Sequence, residues 1–290
     1  MFNGALTALV TPFRDGVVDA PALRDHIEWQ IQSGIDGLVP CGSTGESAAL
    51  THAEHDSVIK LTIEQVRKRV PVIAGTGSNS TAEAIRLTAA AREMGADGAL
   101  LLSPYYNKPT QDGIYRHYKT IAASVDLPLF VYNIPGRTAS NILPETMARL
   151  AEIKNIVGIK EATGSMDQSS DILKMCGDRI AIMSGDDALT LPLVALGAKG
   201  VISTCSNVVP REMRDLTAAA LAGDFAKARE IHFRLLPLIR ALFVETNPIP
   251  VKQALAFMGK CANELRMPLL PMTAGPAEKL RVAMKELRLV

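Results

Sequence analysis

The stretch that decides the fold is Asn155-Ile156-Val157-Gly158-Ile159-Lys160, a short apolar run that ends in a lysine. Such runs occur eight times along the chain, and amphipathic segments separate them. Continuous rather than alternating hydrophobicity is typical of parallel strands covered on both faces. The runs are Ala5–Val10, Gly37–Pro40, Val70–Ala74, Ala99–Leu102, Leu127–Val131, Ile156–Ile159, Ile180–Met183 and Gly200–Ile202. Eight strand-and-helix units favour an α/β fold of the closed (β/α)8 barrel type over an open doubly wound sheet.

The segments around these runs carry helix signals. Thr51-x-x-Glu54 and Ser80-x-x-Glu83 have the spacing of capping boxes at two helix starts. Beyond about residue 223 the strand signals stop, and three further helices are predicted: Phe225–Phe243, Val251–Met258 and Pro276–Leu287. We therefore predict a barrel over residues 1–223 that carries the active site, and a C-terminal helical domain over residues 224–290.

Composition excludes several classes of partner. Lys and Arg number 31 against 30 Asp and Glu, so no strong net field attracts nucleic acid or an anionic membrane. Neither a secretion signal nor an apolar run of about 18 residues is present. Small molecules and further copies of the chain are the expected partners. The cysteines lie far apart, which is typical of reduced thiols in the cytoplasm; they are Cys41, Cys176, Cys205 and Cys261.

Polar residues follow five of the predicted strands. In a parallel barrel the active site forms at the carboxyl ends of the strands, so these residues are the candidates for chemistry. One face gathers hydroxyls, phenols and an amine. The segments are Gly42-Ser43-Thr44-Gly45-Glu46, Ser103-Pro104-Tyr105-Tyr106-Asn107, Tyr132-Asn133, Lys160-Glu161 and Ser184-Gly185-Asp186-Asp187.

Lys160 is the sharpest candidate. Burial at the end of an apolar strand lowers the pKa of a lysine and leaves a neutral amine that attacks a ketone to form an imine. Alternatively, Lys160 snorkels out of the barrel mouth or pairs with Glu161. Tyr132 ends the preceding strand and is a candidate for the proton transfers that imine chemistry requires. Its alternative is an amphipathic ring at a strand end.

Three other motifs carry weaker signals. The hydroxyls and backbone amides of Gly42–Gly45 suit a carboxylate, although a plain strand-to-helix turn has the same pattern. Gly75-Thr76-Gly77 lacks the third glycine of a dinucleotide fingerprint, because Ser80 stands at that position. His52 and His55 lie three residues apart without the further ligands that zinc requires, so a solvated or interface helix face is the better interpretation.

Taken together, four motifs resemble the dihydrodipicolinate (4-hydroxy-tetrahydrodipicolinate) synthase family. These enzymes are class I pyruvate aldolases related to N-acetylneuraminate lyase, and the resemblance runs from Met1 to Val290. The motifs are Gly42–Glu46, Tyr132–Thr138, Gly158–Gly164 and Asn247–Lys252.

The resemblance implies condensation of pyruvate with L-aspartate 4-semialdehyde, the step that commits carbon to diaminopimelate and lysine, without a metal or organic cofactor. Lys160 matches the Schiff-base lysine. The relay residues are matched by Tyr132, Ser43 and Tyr106, the last delivered from a neighbouring subunit of a homotetramer. Substrate-binding positions are matched by Thr44 for the pyruvate carboxylate, Arg137 for the semialdehyde carboxylate, and the backbone at Gly185 and Ile202.

The family's effector site suggests feedback inhibition by free L-lysine. Its positions are matched by Ser47, Ala48, His52, His55, Asn79, Glu83 and Tyr105. Glu83 has a charge complementary to an ammonium group. As an alternative, its capping-box spacing with Ser80 would occupy the carboxylate locally.

One position departs from the family pattern, and two rival functions stay open. Ser43 stands where these synthases most often have Thr; it keeps the hydroxyl but loses the rotamer restriction of a β-branched side chain. Ser is also found there in the neuraminate lyase branch. The first rival is a lyase of the same fold for a sugar-derived 2-oxo acid, which needs Lys160 and Tyr132 but not Arg137. The second is a non-catalytic metabolite sensor.

Overall fold

The computed structural model describes residues 2–290, and within them the predicted barrel is confirmed. The strands are β1 (Gly4–Ala8), β2 (Phe13–Arg14), β3 (Val17–Val18), β4 (Gly37–Val39), β5 (Ile73–Gly75), β6 (Gly98–Leu102), β7 (Leu129–Asn133), β8 (Ile156–Glu161), β9 (Ala181–Ser184) and β10 (Gly200–Ser203). Eight of these described strands pair in the order β4-β1-β10-β9-β8-β7-β6-β5. A parallel bridge between Leu38 and Val72 joins the two outer strands, so the sheet closes.

Both faces of the barrel strands are buried, which explains their continuous hydrophobicity. In β7, Leu129 and Val131 pack toward the helices, whereas Phe130 and Tyr132 belong to the cluster inside the barrel. Gly158 of β8 leaves room for this interior packing, because a Cβ there would lie 2.2 Å from the Phe130 ring. Successive side chains of a strand alternate between faces, so Lys160 follows Gly158 on the interior face.

Helices surround the barrel, and the two predicted capping sites differ in detail. Thr51 forms a complete capping box with Glu54. Ser80 accepts from the backbone N–H of Glu83, but the Glu83 carboxylate bonds elsewhere. The helices of the described chain are α1 (Ala20–Gln32), α2 (His52–Val66), α3 (Thr81–Met94), α4 (Gln111–Ser124), α5 (Pro135–Thr138), α6 (Pro144–Leu150), α7 (Met166–Cys176), α8 (Thr190–Ala195), α9 (Pro210–Leu221), α10 (Phe225–Ala241), α11 (Ile249–Phe257) and α12 (Ala274–Glu286). Within residues 2–290, no helix combines the length and apolar character needed to cross a membrane.

The three C-terminal helices lie where the sequence predicts them, with bounds that differ by at most two residues. They pack against the barrel rather than apart from it. Leu235 of α10 and Val251 of α11 belong to the same hydrophobic cluster as Leu9 and Leu38 of the barrel. The division into two domains at residue 223 stays a prediction.

The short hairpin of β2 and β3 was not predicted. Its turn contains Asp15 and Gly16, both with positive φ, and Asp-Gly is a strong hairpin signal. The backbone N–H groups of this turn donate to Glu264 at 2.9 and 2.7 Å. The hairpin therefore links the beginning of the barrel to the C-terminal segment.

Candidate active site

Lys160 lies at the carboxyl end of β8, and the sheet register places it beside Tyr132 of β7. Only 5% of the residue is exposed. Burial lowers the pKa of Lys160 from 10.5 to about 8; the charge of Asp187 opposes this shift and that of Arg137 adds to it. A lysine with this pKa has an appreciable neutral fraction near neutral pH, which is the form that attacks a carbonyl carbon.

Neither alternative for Lys160 fits this geometry. The residue is too buried to snorkel into solvent. Glu161 is the next residue of the strand and so faces the other way. Its carboxylate accepts from the backbone N–H of Thr163 at 2.8 Å and from the Asn133 amide at 3.3 Å. Glu161 is therefore occupied on the far side of the strand.

Tyr132 presents its ring to Lys160. The Lys160 Nζ lies 4.4 Å from the ring centroid. Burial raises the pKa of Tyr132 to about 12, while the charge of Arg137 and the hydroxyl of Ser43 oppose the rise. The phenol consequently stays protonated near neutral pH and is able to donate a proton inside the barrel.

The loop between β4 and α2 presents Ser43 and Thr44 to the space around Lys160. Within this loop, Cys41 and Glu46 have φ values of 56° and 53°. Non-glycine residues keep such conformations only where their surroundings fix them. The Thr44 Oγ1 accepts from the Asn247 Nδ2 at 2.9 Å, so its own hydrogen is free to donate to a bound carboxylate.

Arg137 lies in α5, immediately after β7. Its Nη2 donates to the backbone oxygen of Asn247 at 2.7 Å. A guanidinium group carries five N–H donors, so others remain for a carboxylate. The guanidinium of Arg137 is therefore anchored on one side and able to bind an anion on another.

Gly185 directly follows β9 and lines the inner space around Lys160, whereas Ile202 lies in β10. A Cβ at Gly185 would lie 3.1 Å from the Lys160 Cε, which leaves little room for any side chain there. Ile202 belongs to the cluster inside the barrel. The structure therefore places Gly185 beside Lys160 and Ile202 in the barrel interior, and the binding of substrate by their backbones stays a prediction.

Two neighbouring cavities lie at this end of the barrel. The inner cavity, about 50 Å³, is lined by Lys160, Tyr132, Thr44 and Gly185 among others. The outer cavity measures about 550 Å³. Both cavities are lined by Ser43, Arg137 and Asn247, so the outer cavity leads to the candidate nucleophile.

Tyr106 is the one predicted relay residue that the chain does not bring to Lys160. It is 89% exposed, has a φ of 70° and lines neither cavity. Its delivery into the active site of a neighbouring subunit stays a prediction.

The predicted effector residues gather at the outer cavity. Six of the seven line it: Ser47, Ala48, His52, His55, Glu83 and Tyr105. The seventh, Asn79, donates to the backbone oxygen of Tyr105 at 3.2 Å. The Glu83 carboxylate accepts from the Ser78 hydroxyl and lies 2.9 Å from the His52 Nε2. These two contacts lower the pKa of Glu83 and show that its carboxylate does not complete its own helix cap.

Sequence reasoning missed three features of the site. Asp187 is buried, and burial raises its pKa to about 6. Lys252 and Glu46 form an ion pair that is fully buried. Asn247 contacts both Thr44 and Arg137. Asp187 and the segment 247–252 were visible as motifs, but their partners lie far away in sequence.

A barrel that buries a lysine of lowered pKa beside a phenol, at the carboxyl ends of its strands, is built as a class I, imine-forming aldolase. The chain belongs to the dihydrodipicolinate synthetase family, whose model matches residues 1–287. It is thus an enzyme of the carbon–carbon lyase class.

Three relatives illustrate the match. The 4-hydroxy-tetrahydrodipicolinate synthase of Syntrophus aciditrophicus (strain SB) is 59% identical over 290 residues, all of both chains. The chloride-inhibited dihydrodipicolinate synthase from Acinetobacter baumannii, complexed with pyruvate, has a TM-score of 0.99 at 46% identity, over 100% of both chains. The enzyme from Cyanidioschyzon merolae with lysine bound has a TM-score of 0.97 at 42% identity, over 100% of this chain and 99% of that one.

Proposed function

We propose that the chain condenses pyruvate with L-aspartate 4-semialdehyde through a Schiff base on Lys160, as a 4-hydroxy-tetrahydrodipicolinate synthase of lysine and diaminopimelate biosynthesis. The observation that carries the proposal is the buried Lys160, with a pKa of about 8, beside Tyr132. The name of the Syntrophus relative and the pyruvate in the Acinetobacter structure support the choice of substrates.

The reaction follows from the chemistry of the amine. Neutral Lys160 attacks C2 of pyruvate, and the ketone oxygen leaves as water to give an imine. Loss of a proton from C3 gives an enamine, and C3 then bonds to the aldehyde carbon, whose oxygen takes up a proton. The amino group of the semialdehyde attacks the imine carbon, closes the ring and releases Lys160 as a free amine.

Tyr132 and Ser43 handle the protons of these steps. The phenol of Tyr132 stays protonated because its pKa is raised to about 12. It donates to the departing oxygen, and the Ser43 hydroxyl beside it relays the proton. The exposed Tyr106 extends this relay into the active site of a neighbouring subunit. This arrangement requires at least a dimer, and a homotetramer provides it.

Two side chains of the inner cavity hold the substrate carboxylates. The free hydroxyl hydrogen of Thr44 donates to the pyruvate carboxylate, beside the backbone at Gly185 and Ile202. Arg137 binds the semialdehyde carboxylate, for which a planar two-pronged donor is suited. Because only the semialdehyde meets Arg137, that residue separates this reaction from cleavage of a sugar-derived 2-oxo acid.

The deciding assay supplies pyruvate and L-aspartate 4-semialdehyde and follows product in a coupled reaction. We expect turnover with this pair and none with N-acetylneuraminate. In Arg137→Ala, the KM for the semialdehyde should rise about 10- to 100-fold, the range of a hydrogen bond to a charged group, with a smaller change for pyruvate. Turnover of the sugar acid alone would refute the proposed substrates.

We also propose that free L-lysine binds in the outer cavity and inhibits turnover, as the lysine bound in the Cyanidioschyzon structure suggests. Glu83 supplies a negative charge for an ammonium group, and Tyr105 and Asn79 supply hydrogen-bonding groups. Lysine titration of turnover should show inhibition that Glu83→Ala and His55→Ala weaken. Glu93→Ala, an exposed acid of the same helix, is the matched control. Unchanged activity at saturating lysine would exclude feedback control.

The same proposal includes the cellular compartment in which the enzyme works. All four cysteines are free thiols, and three of them are buried. Reduced thiols and a biosynthetic reaction on small metabolites support a cytoplasmic enzyme.

A further inference from the structure

We propose that Asn247 is a positioning residue for the substrate carboxylates: its side chain orients the Thr44 hydroxyl toward pyruvate, and its backbone oxygen holds Arg137. This inference rests on the proposed function, because it takes Thr44 and Arg137 as the carboxylate-binding groups. Asn247 lies between α10 and α11, outside the barrel strands, yet only 6% of it is exposed. It lines both the inner and the outer cavity.

The contact with Thr44 fixes the direction of a proton. The Asn247 Nδ2 donates to the Thr44 Oγ1 at 2.9 Å. A hydroxyl that already accepts a hydrogen bond directs its own hydrogen elsewhere. The remaining polar neighbour is the hydroxyl of Thr204, 3.5 Å away and also on the inner cavity. The Thr44 hydrogen is therefore turned toward the inner cavity, where a carboxylate is a stronger acceptor than a hydroxyl.

The contact with Arg137 comes from the main chain of the same residue. The Arg137 Nη2 donates to the Asn247 backbone oxygen at 2.7 Å. One residue thus touches the binding groups for both substrates. Because this second contact uses the backbone, a change of the Asn247 side chain leaves it available.

The side chain of Asn247 makes one hydrogen bond, the donation from its Nδ2 to Thr44. The Asn247 Oδ1 is buried and has no hydrogen-bond partner among residues 2–290. The donation to Thr44 is thus the side-chain contact that holds the Asn247 amide, and a change of this amide acts first on the Thr44 hydroxyl.

A second connection keeps the two chain segments in register. Glu46 lies two residues after Thr44 in the same loop, and Lys252 lies in α11, the helix that follows Asn247. The Lys252 Nζ bonds the Glu46 Oε1 at 2.5 Å and the backbone oxygen of Glu264 at 2.8 Å. The loop is thus fixed to the segment 247–252 at two points, and the Thr44–Asn247 distance is set by a buried framework rather than by the hydrogen bond alone.

The test is a double-mutant cycle of Asn247→Ala and Thr44→Val, read from pyruvate binding without the aldehyde. Borohydride-trapped adduct is measured against pyruvate concentration. Asn247→Ala should weaken apparent pyruvate affinity about tenfold when Thr44 is present and less than about twofold in Thr44→Val, since it acts through the hydroxyl. The isosteric Asn247→Asp, which also lacks the donor, should weaken pyruvate at least as much.

Two further readouts separate positioning from folding. The KM for the semialdehyde should stay within about twofold in Asn247→Ala, because the Arg137 contact is a backbone contact. Asn263→Ala is the matched control: its amide bonds the Gln253 side chain at 2.7 Å and also leaves a buried Oδ1 without a partner in residues 2–290, but it does not line either cavity. It should leave pyruvate affinity unchanged.

An equal loss from Asn247→Ala in both Thr44 backgrounds, or equal effects on both substrates, would overturn the inference. Failure to condense the two substrates, with pyruvate still trapped, would instead count against the proposed function.

Discussion

Lys160 and Lys252 are both buried, but their surroundings differ. Lys252 is fully buried and bonds the Glu46 carboxylate and the Glu264 backbone oxygen. Lys160 has the face of the Tyr132 ring at 4.4 Å, and Asp187 acts on it through charge without a direct bond. Burial lowers the pKa of both amines, but the Glu46 charge and hydrogen bond oppose that shift at Lys252.

The difference shows what makes a buried lysine reactive. A buried ammonium with a hydrogen-bonded counter-ion stays charged and holds parts of the fold together. One that lacks such a partner has a lower pKa and yields a neutral nucleophile. Both residues are desolvated, so the presence or absence of a bonded counter-ion determines whether the lysine has a structural or a catalytic role.

The largest expected effect is on turnover in Lys160→Ala. Removal of the amine removes the imine, so nearly all turnover should be lost. The variant should still fold, because burial of the Lys160 amine is itself unfavourable and its removal breaks no hydrogen-bonded ion pair. Steady-state turnover and thermal unfolding measure the two expectations. Substantial turnover in this variant would remove Lys160 from the mechanism.

Tyr132→Phe is the next test, because it changes the group that faces Lys160 without changing the burial. Turnover should fall about 10²- to 10⁴-fold, the usual contribution of a positioned acid or base. Tyr118→Phe is the matched control: this phenol is also buried but donates to the backbone of Leu101 at 2.9 Å. Turnover by Tyr132→Phe equal to that of the control would show that the Tyr132 phenol has no part in proton transfer.

Much of this arrangement could be predicted from the sequence, because much of it follows from local sequence patterns. Contacts between distant segments could not be predicted in this way. Each strand is a local apolar run, and the barrel places polar residues after such runs on one face, so the sequence predicts that Lys160, Tyr132 and Thr44 lie near one another, as they do around the inner cavity. The Glu46–Lys252 pair joins residues 206 apart. Neither residue carries a local signal of its partner, because the pairing arises only when the C-terminal helices pack on the barrel. The same holds for Asn247 and Thr44, which are 203 residues apart.

The paired lysine should show its role in stability. Lys252→Ala leaves the Glu46 carboxylate buried without its counter-ion, so the free energy of unfolding should fall by about 3–5 kcal/mol. The double variant Glu46→Leu/Lys252→Met replaces both charges with apolar groups and should recover most of that loss. Denaturant titrations of the three proteins make the comparison. A single variant as stable as the wild type would mean that the pair is not the structural element we infer.

The smallest expected effect concerns pH. With a pKa of about 8, Lys160 is mostly protonated below pH 8 and mostly neutral above it. The neutral fraction, and hence the rate of pyruvate adduct formation at low pyruvate, should rise about tenfold per pH unit below pH 8 and level off above it. Trapping rates between pH 6 and 9.5 give this profile. A rate that keeps rising steeply to pH 9.5 would indicate a lysine with an ordinary pKa.

The most direct measurement asks which lysine pyruvate modifies. The enzyme is incubated with pyruvate, reduced with borohydride, digested, and mapped by mass spectrometry. We predict one pyruvate-derived adduct per chain, on Lys160, with Lys252 unmodified although it too is buried and of lowered pKa. An adduct on Lys252 or another lysine, or none at all, would contradict the conclusion that the unpaired buried lysine is the nucleophile.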